Sequence, residues 1–454
     1  MKSIELLPTN QNILATLCKD PFNRNDEIAS FLELLITIEG HFVISIDGQW
    51  GTGKTFFVKQ CELILNVINN NAPSSEAKDK VLHLPFLSKN GLLENLKKQT
   101  CIYFDAWIND EYENPILAIL QTLSNNRSVF ERMTNIDKSK IQALFKELNE
   151  EFFSKLTSIN INKFAEALKD PKDSYACKQD KVHSLISKCI DIFTKNDQRL
   201  IIFIDELDRC KPSFAVKLLE QIKHYFLIEN VTFVISTNIE ELSKTICKFY
   251  GINFKGNKYL TRFFDLSLRL SKIDSNTYYS SLASHNQSYI FENYKRDVIN
   301  FFNMSMRSIG RYVINNELID YSKFKNDFYV WDSATSGICS NIEWLIISFI
   351  IGLRTTNKEL EYSLIHGNEL KIFTEFVLSS ETFWGIFRFD NKQNKMKELC
   401  DIDKEKRFGD CKEKIIKVIY DKCFVNQINE NEGLNEAGEF WHEIKNQINK
   451  SLYL

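Results

Sequence analysis

The chain has 454 residues, more than one ordinary core can organise, so two or three domains are expected. A formal charge of −3 and the lack of a long basic run give no electrostatic footprint for phosphate backbones, so nucleic acid is possible but is not the default partner. With 15 glycines and 7 prolines the composition favours long helices, and the 11 scattered cysteines, without a Cys-x-x-Cys pair, fit thiols of a reducing cytoplasm rather than disulfides or a zinc site.

The opening segment MKSIELLPTNQN lacks the basic flank and apolar core of a secretory signal. Asp20-Pro-Phe-Asn-Arg24 leads into the helical pattern IASFLELLITI, whose start carries polar caps and early acids. Phe42 to Ile46 is a β-prone apolar run ending in Asp47. Gly48-Gln-Trp50-Gly51-Thr52-Gly53-Lys54-Thr55 follows at once and fits G-x-x-x-x-G-K-[ST] without a mismatch. The order strand, glycine loop, helix is that of a phosphate cradle. Glycines allow the turns that aim successive N–H groups inward, and the helix starting near Lys54 adds the positive end of its dipole. Lys54 is placed to reach the β and γ oxygens of a triphosphate, and the Thr55 hydroxyl to join the coordination of Mg²⁺.

Residues 66–100 mix a loop, the apolar piece VLHLPFL and the helix-like GLLENLKKQ; Cys101 to Asp105 is a short β-prone run, after which Pro115 to Leu123 resumes helical spacing. Residues 125–198 are polar and helical in pattern and are expected to form an inserted subdomain without catalytic residues. Arg199-Leu-Ile-Ile-Phe-Ile-Asp205 has the continuous apolar character of a strand buried on both faces, with its acid at the carboxyl edge where open α/β sheets bind ligands. Asp205 is the candidate magnesium holder, and Glu206 beside it the candidate for orienting or deprotonating the attacking water. Asp208 is the alternative base.

Val231 to Asn238 is another buried strand with a polar end, where Thr237 and Asn238 stand either as γ-phosphate sensors or as an ordinary strand-end turn. Arg262, in Tyr259-Leu-Thr-Arg-Phe-Phe-Asp265, is either an arginine finger acting on a neighbouring subunit or a surface charge, with Arg209 as its in-chain competitor. From about residue 285 the chain is helical. Arg307 and Arg311 lie four apart and either converge on one ligand or line a solvated stripe. The most apolar run, Trp344 to Leu353, is about ten residues long, too short for a bilayer and suited to a buried helix, so no membrane insertion is expected.

The stretches Asn23-Arg24, GQWGTGKT with Trp50, FDAW at Phe104 to Trp107, IIFIDELDRCKP from Ile201 to Pro212, YLTRFF and RSIGR together resemble the KAP P-loop NTPases, a branch of the STAND-type and AAA-like ATPases. The likeness covers roughly residues 18 to 315. It implies binding and hydrolysis of ATP coupled to a conformational or oligomeric switch, often in bacterial defence against phage or mobile elements. It also implies that Arg24, Trp50 and Arg307 line the nucleotide pocket. Many relatives carry transmembrane helices between the two nucleotide motifs, whereas this insert is polar. The family often has two aspartates where this chain has Asp205-Glu206, a change that keeps hydrolysis feasible.

The expected protein is therefore a cytoplasmic, magnesium-dependent ATPase of the α/β class: a P-loop core with a mostly parallel sheet (residues 1–124 and 199–284), a helical insertion (125–198) and a helical C-terminal region (285–454). A protein partner or self-assembly is expected. The rival readings are a nucleotide-gated scaffold that hydrolyses poorly and a nucleic-acid-stimulated motor.

Overall fold

The computed structural model describes residues 7–69, 73–89, 91–112, 114–125, 198–225, 228–282, 289–318, 333–425 and 436–452. They divide into two units, Leu7–Lys272 and Ile273–Leu454. The insertion expected over 125–198 lies almost wholly outside the described residues.

Among the described residues of the first unit five strands form one sheet in which every pairing is parallel: β1 (Phe42–Asp47), β2 (Gln99–Asp105), β3 (Arg199–Asp205), β4 (Val231–Thr237) and β5 (Leu266–Arg269), in the order β2-β3-β4-β1-β5. The continuous apolar runs have a simple cause. Strands β3 and β4 are buried along their whole length because helices cover both faces of a parallel sheet. One face carries α1 (Asn10–Lys19), α2 (Asn25–Thr37), α3 (Lys54–Ile68), α4 (Ser75–Leu82) and α5 (Leu92–Leu96); Ile44, Ile46, Cys101, Ile201, Phe203 and Val234 point into this layer. The other carries α6 (Pro115–Asn125), α7 (Pro212–Tyr225) and α8 (Ile239–Tyr250), packed on Val43, Ile102, Ile202, Phe233 and Ile235.

Local chemistry sets the joints. The Asp20 carboxylate accepts the N–H of Arg24 at 2.7 Å and also that of Asn25, so the polar DPFNR turn fixes the entry to α2. Where the sequence suggested only a mixed apolar piece over VLHLPFL, the chain ends α4 and makes a single 3-10 turn at Pro85–Ser88. At the far, amino end of the strands Arg199 donates to Gly40 O at 2.7 Å and to Thr232 Oγ1 at 2.9 Å.

The second unit is helical among its described residues. Ser333–Thr356 is its central helix and extends well beyond the apolar run seen in the sequence, to 24 residues. In length and composition alone that helix would span a bilayer, but it is mostly buried within its own unit. Within the unit Tyr294 OH donates to Asn341 Oδ1 at 2.9 Å and Tyr312 OH to the backbone carbonyl of Ser348 at 3.2 Å, while the buried Ser348 hydroxyl has no hydrogen-bond partner among the described residues. Phe349 stacks on Phe376 with ring centres 4.4 Å apart.

Candidate functional site

Three of the five strands end in an acid: Asp47 on β1, Asp105 on β2 and Asp205 on β3. The glycine loop springs from the same edge, between β1 and α3. Its shape is tightly constrained. Gly51 and Gly53 have φ of 79° and 86°, a region that costs other residues energy, and a Cβ on Gly48 would fall 2.7 Å from Thr52 Oγ1. The Gly48 N–H donates to Thr237 O at 3.3 Å, which ties the loop to the end of β4.

Lys54 and Thr55 open α3. The Lys54 ammonium is buried and folded back onto the loop, donating to Gly48 O and, at 3.2 Å, to Gln49 O. Burial pulls its pKa below the ordinary lysine value, against the opposing pull of Asp208, Asp205, Glu206 and Asp47. Among the described residues its hydrogen-bond partners are thus two loop carbonyls, in the field of four carboxylates.

Asp205 is buried on the face that carries α3. It accepts the N–H of Glu206 at 2.9 Å and the phenol of Tyr103 at 3.0 Å. Burial and then the Asp205 charge push the Tyr103 phenol far up, so it stays a donor. Next to Asp205 in register, Ser236 of β4 is fully buried, and its hydroxyl has no hydrogen-bond partner among the described residues. The chain turns at Glu206, whose φ of 61° is unusual for a residue with a side chain. Strand alternation therefore ends there, and Asp208 does not share a face with Glu206 by periodicity. The Glu206 carboxylate pairs with Arg209, whose guanidinium lies 5.5 Å from the centre of the half-exposed Trp107 ring. Burial and then Asp205 raise the Glu206 pKa to about 7, with Arg209 opposing.

The remaining candidates fall into different places. Arg24 is buried beneath the loop, donating to Thr52 O at 3.2 Å and Ser271 O at 2.7 Å and pairing with Glu27, so it braces the loop from behind. Trp50 is half exposed, and its indole N–H donates to Asp208 at 2.6 Å. The Thr237 hydroxyl donates to the other oxygen of Asp208 at 3.1 Å, while the Asn238 amide oxygen caps α8 by accepting from Glu240 and Glu241. Arg262 is exposed, and its carbonyl accepts from Lys223 Nζ at 2.8 Å. Arg307 and Arg311 are exposed positions of one helix, Met306–Glu317, in the second unit. Cys210 is buried, and its thiol pKa is pushed up by burial, which makes it a poor nucleophile. Sequence reasoning missed Tyr103, Ser236 and the two hydrogen bonds that Asp208 accepts from Trp50 and Thr237. Only Tyr103 left a trace, as a phenol two residues before a strand-end acid in an otherwise apolar run.

A strand, a glycine loop opening a helix, a buried lysine and an acid at the end of a neighbouring parallel strand form the phosphate-binding arrangement of P-loop proteins. The KAP family P-loop domain matches residues 24–321, more than half of the chain. The chain belongs to the KAP family of P-loop NTPases. No curated protein matches it. The KAP domain thus begins at the buried Arg24 and extends past the sheet of the first unit into the helix that carries Arg307 and Arg311, and nucleotide binding follows from its P-loop.

Proposed function

We propose that this KAP domain binds ATP with magnesium, hydrolyses it, and uses the cycle as a regulatory switch. The observation that carries the reading is Lys54: a buried ammonium that opens α3 and is held by loop carbonyls, in the field of Asp208, Asp205, Glu206 and Asp47, where it can meet a phosphate that a metal ion shields from the acids. The donor set suits a magnesium–triphosphate ligand. The glycine turns would cradle the phosphates, and Thr55 and Asp205 would hold the metal, beside the Ser236 hydroxyl, which has no partner among the described residues. When bound, magnesium neutralises charge on the β and γ oxygens and fixes their geometry. Asp205 keeps lone pairs beyond those used by Tyr103 and Glu206, and Tyr103 holds its orientation. Glu206 orients the attacking water and takes its proton, which its raised pKa favours near neutral pH.

A second reading has one specific observation behind it. Glu206 is tied to Arg209, and a base so paired suits a nucleotide-gated scaffold that turns over slowly. Calorimetry and phosphate release separate the two. Lys54→Ala should abolish tight ATP binding, because the charge that meets the phosphates is lost while the loop backbone stays; undiminished affinity would sink the phosphate-loop role. Wild-type phosphate release well above that of Glu206→Gln supports the enzyme, and equal rates support the scaffold. A rate rising only with added DNA or RNA would favour a motor. A role for the switch in defence against phage is part of the proposal, as the family resemblance suggests.

A further inference from the structure

We propose that Asp208 clasps the phosphate loop through Trp50 and strand β4 through Thr237, making Trp50 and Thr237 positioning residues that hold the turn carrying Glu206 in register with the loop. The proposal rests on the hydrolytic reading of this site. Asp208 is buried, and each of its oxygens receives one donor, the Trp50 indole at 2.6 Å and the Thr237 hydroxyl at 3.1 Å. Those donors come from the loop after β1 and the end of β4, and Asp208 itself sits in the 3-10 turn Leu207–Arg209 that follows Glu206. One carboxylate therefore joins three strand ends.

The Trp50 ring is 48% exposed, so packing alone does not hold it. Its anchor is the charge-assisted bond to Asp208, of a kind roughly twice as strong as a neutral hydrogen bond. The turn also needs restraint. Glu206 has the left-handed φ of 61°, and a turn begun in that conformation persists when its surroundings over-determine it. Arg209 restrains the Glu206 side chain, and Asp208 restrains the backbone two residues on.

The phosphate donors of the cradle are loop N–H groups and Lys54, none of which is part of the clasp. Phenylalanine at position 50 keeps an aromatic ring beside the pocket, so loss of the indole N–H alone should leave ATP binding nearly unchanged while the Glu206 turn loosens, and a misplacement of about 1 Å at a reacting group costs about 10²-fold in rate. The test uses Trp50→Phe, Thr237→Val and the double variant of the full chain. Asp208 is left intact, since its charge also faces Lys54.

Each single variant is expected to lower kcat about 10- to 100-fold, with the ATP Kd within about threefold of wild type. The double variant is expected to be no worse than the poorer single, because both break one device. An unchanged kcat in Trp50→Phe, or losses that multiply in the double variant, would overturn the clasp. If the wild type itself does not turn over, the hydrolytic reading fails, and the clasp is read by fluorine NMR of protein labelled with fluorotryptophan. Among the six tryptophans, the signal lost in Trp50→Phe is expected to move in Thr237→Val, and an unmoved signal overturns the clasp without any appeal to activity.

Discussion

Replacing Glu206 with glutamine should make the nucleotide-free protein more stable as it removes the chemistry. The carboxyl is raised from its ordinary 4.5 to about 7, first by burial, then by Asp205, with Arg209 opposing and Asp208 and Asp105 adding to the rise. Because the folded pKa lies above the unfolded one, the unfolded chain gives up its proton first as pH rises. Stability is therefore lost between about pH 4.5 and pH 7, the cost is fully present above that window, and it is absent below it. Taken whole, the rise corresponds to about 3 kcal/mol. The carboxylate keeps 19% of its side-chain surface and has Arg209 as a partner, so screening brings the expected cost to about 1–2 kcal/mol. At about 2–4 °C per kcal/mol, Glu206→Gln should melt about 2–8 °C above wild type near pH 8, in EDTA and without nucleotide. The gain should fade towards pH 5. Hydrolysis should drop by about 10² to 10⁴ in the same protein with ATP binding kept. A glutamine variant no more stable than wild type near pH 8, or a gain that does not depend on pH, would refute the electrostatic account of this acid.

Two further outcomes are expected. Arg24→Met leaves the Thr52 and Ser271 carbonyls without their charged donor and should cost about 2–4 kcal/mol in urea unfolding, with Arg24→Lys recovering only part because one ammonium does not reproduce the planar fork; a loss under about 0.5 kcal/mol would show that the brace is dispensable. If Arg262 acts on a neighbouring subunit, specific activity should rise with protein concentration, and mixing Arg262→Ala with Lys54→Ala protein should restore activity; flat activity on dilution and no rescue would leave Arg262 as the exposed surface charge it is in the single chain.

The sheet was legible because its strands are buried on both faces and so appear as unbroken apolar runs: Leu200 to Ile204 and Val231 to Ile235 announce themselves. Its loop was legible because only glycine suits the backbone at Gly51 and Gly53 and the close approach at Gly48. Arg24 was harder. Its polar side chain is spent on backbone carbonyls at residues 52 and 271, one of them 247 positions away, and no local pattern reports such a pairing. Asp208 was read as a spare base for the same reason: its two donors, Trp50 and Thr237, lie 158 and 29 residues off and meet only when β1, β3 and β4 are in register.

An acid at the end of a strand is therefore not by itself a sign of metal chemistry in this fold; the face on which it lands decides its work. Asp205 follows Ile201 and Phe203 at even spacing, and those residues point into the layer beneath α3, so Asp205 emerges beside the helix that Lys54 and Thr55 begin. Asp47 has the opposite parity. It follows Val43, which faces the other layer, and its carboxylate is used to receive the N–H of Ile239 at 3.0 Å and to pair with Arg269 at 3.4 Å. Thr237 shares that second face with Val231, Phe233 and Ile235, which is why its hydroxyl meets Asp208 while Ser236, one residue earlier, lies beside Asp205. The polar residue best placed to accompany Asp205 at the end of β4 is thus Ser236, displaced by one position from the pair that the sequence alone brought forward. That one-residue step moves a side chain from one face of the sheet to the other, and with it from the neighbourhood of Asp205 to that of Asp208.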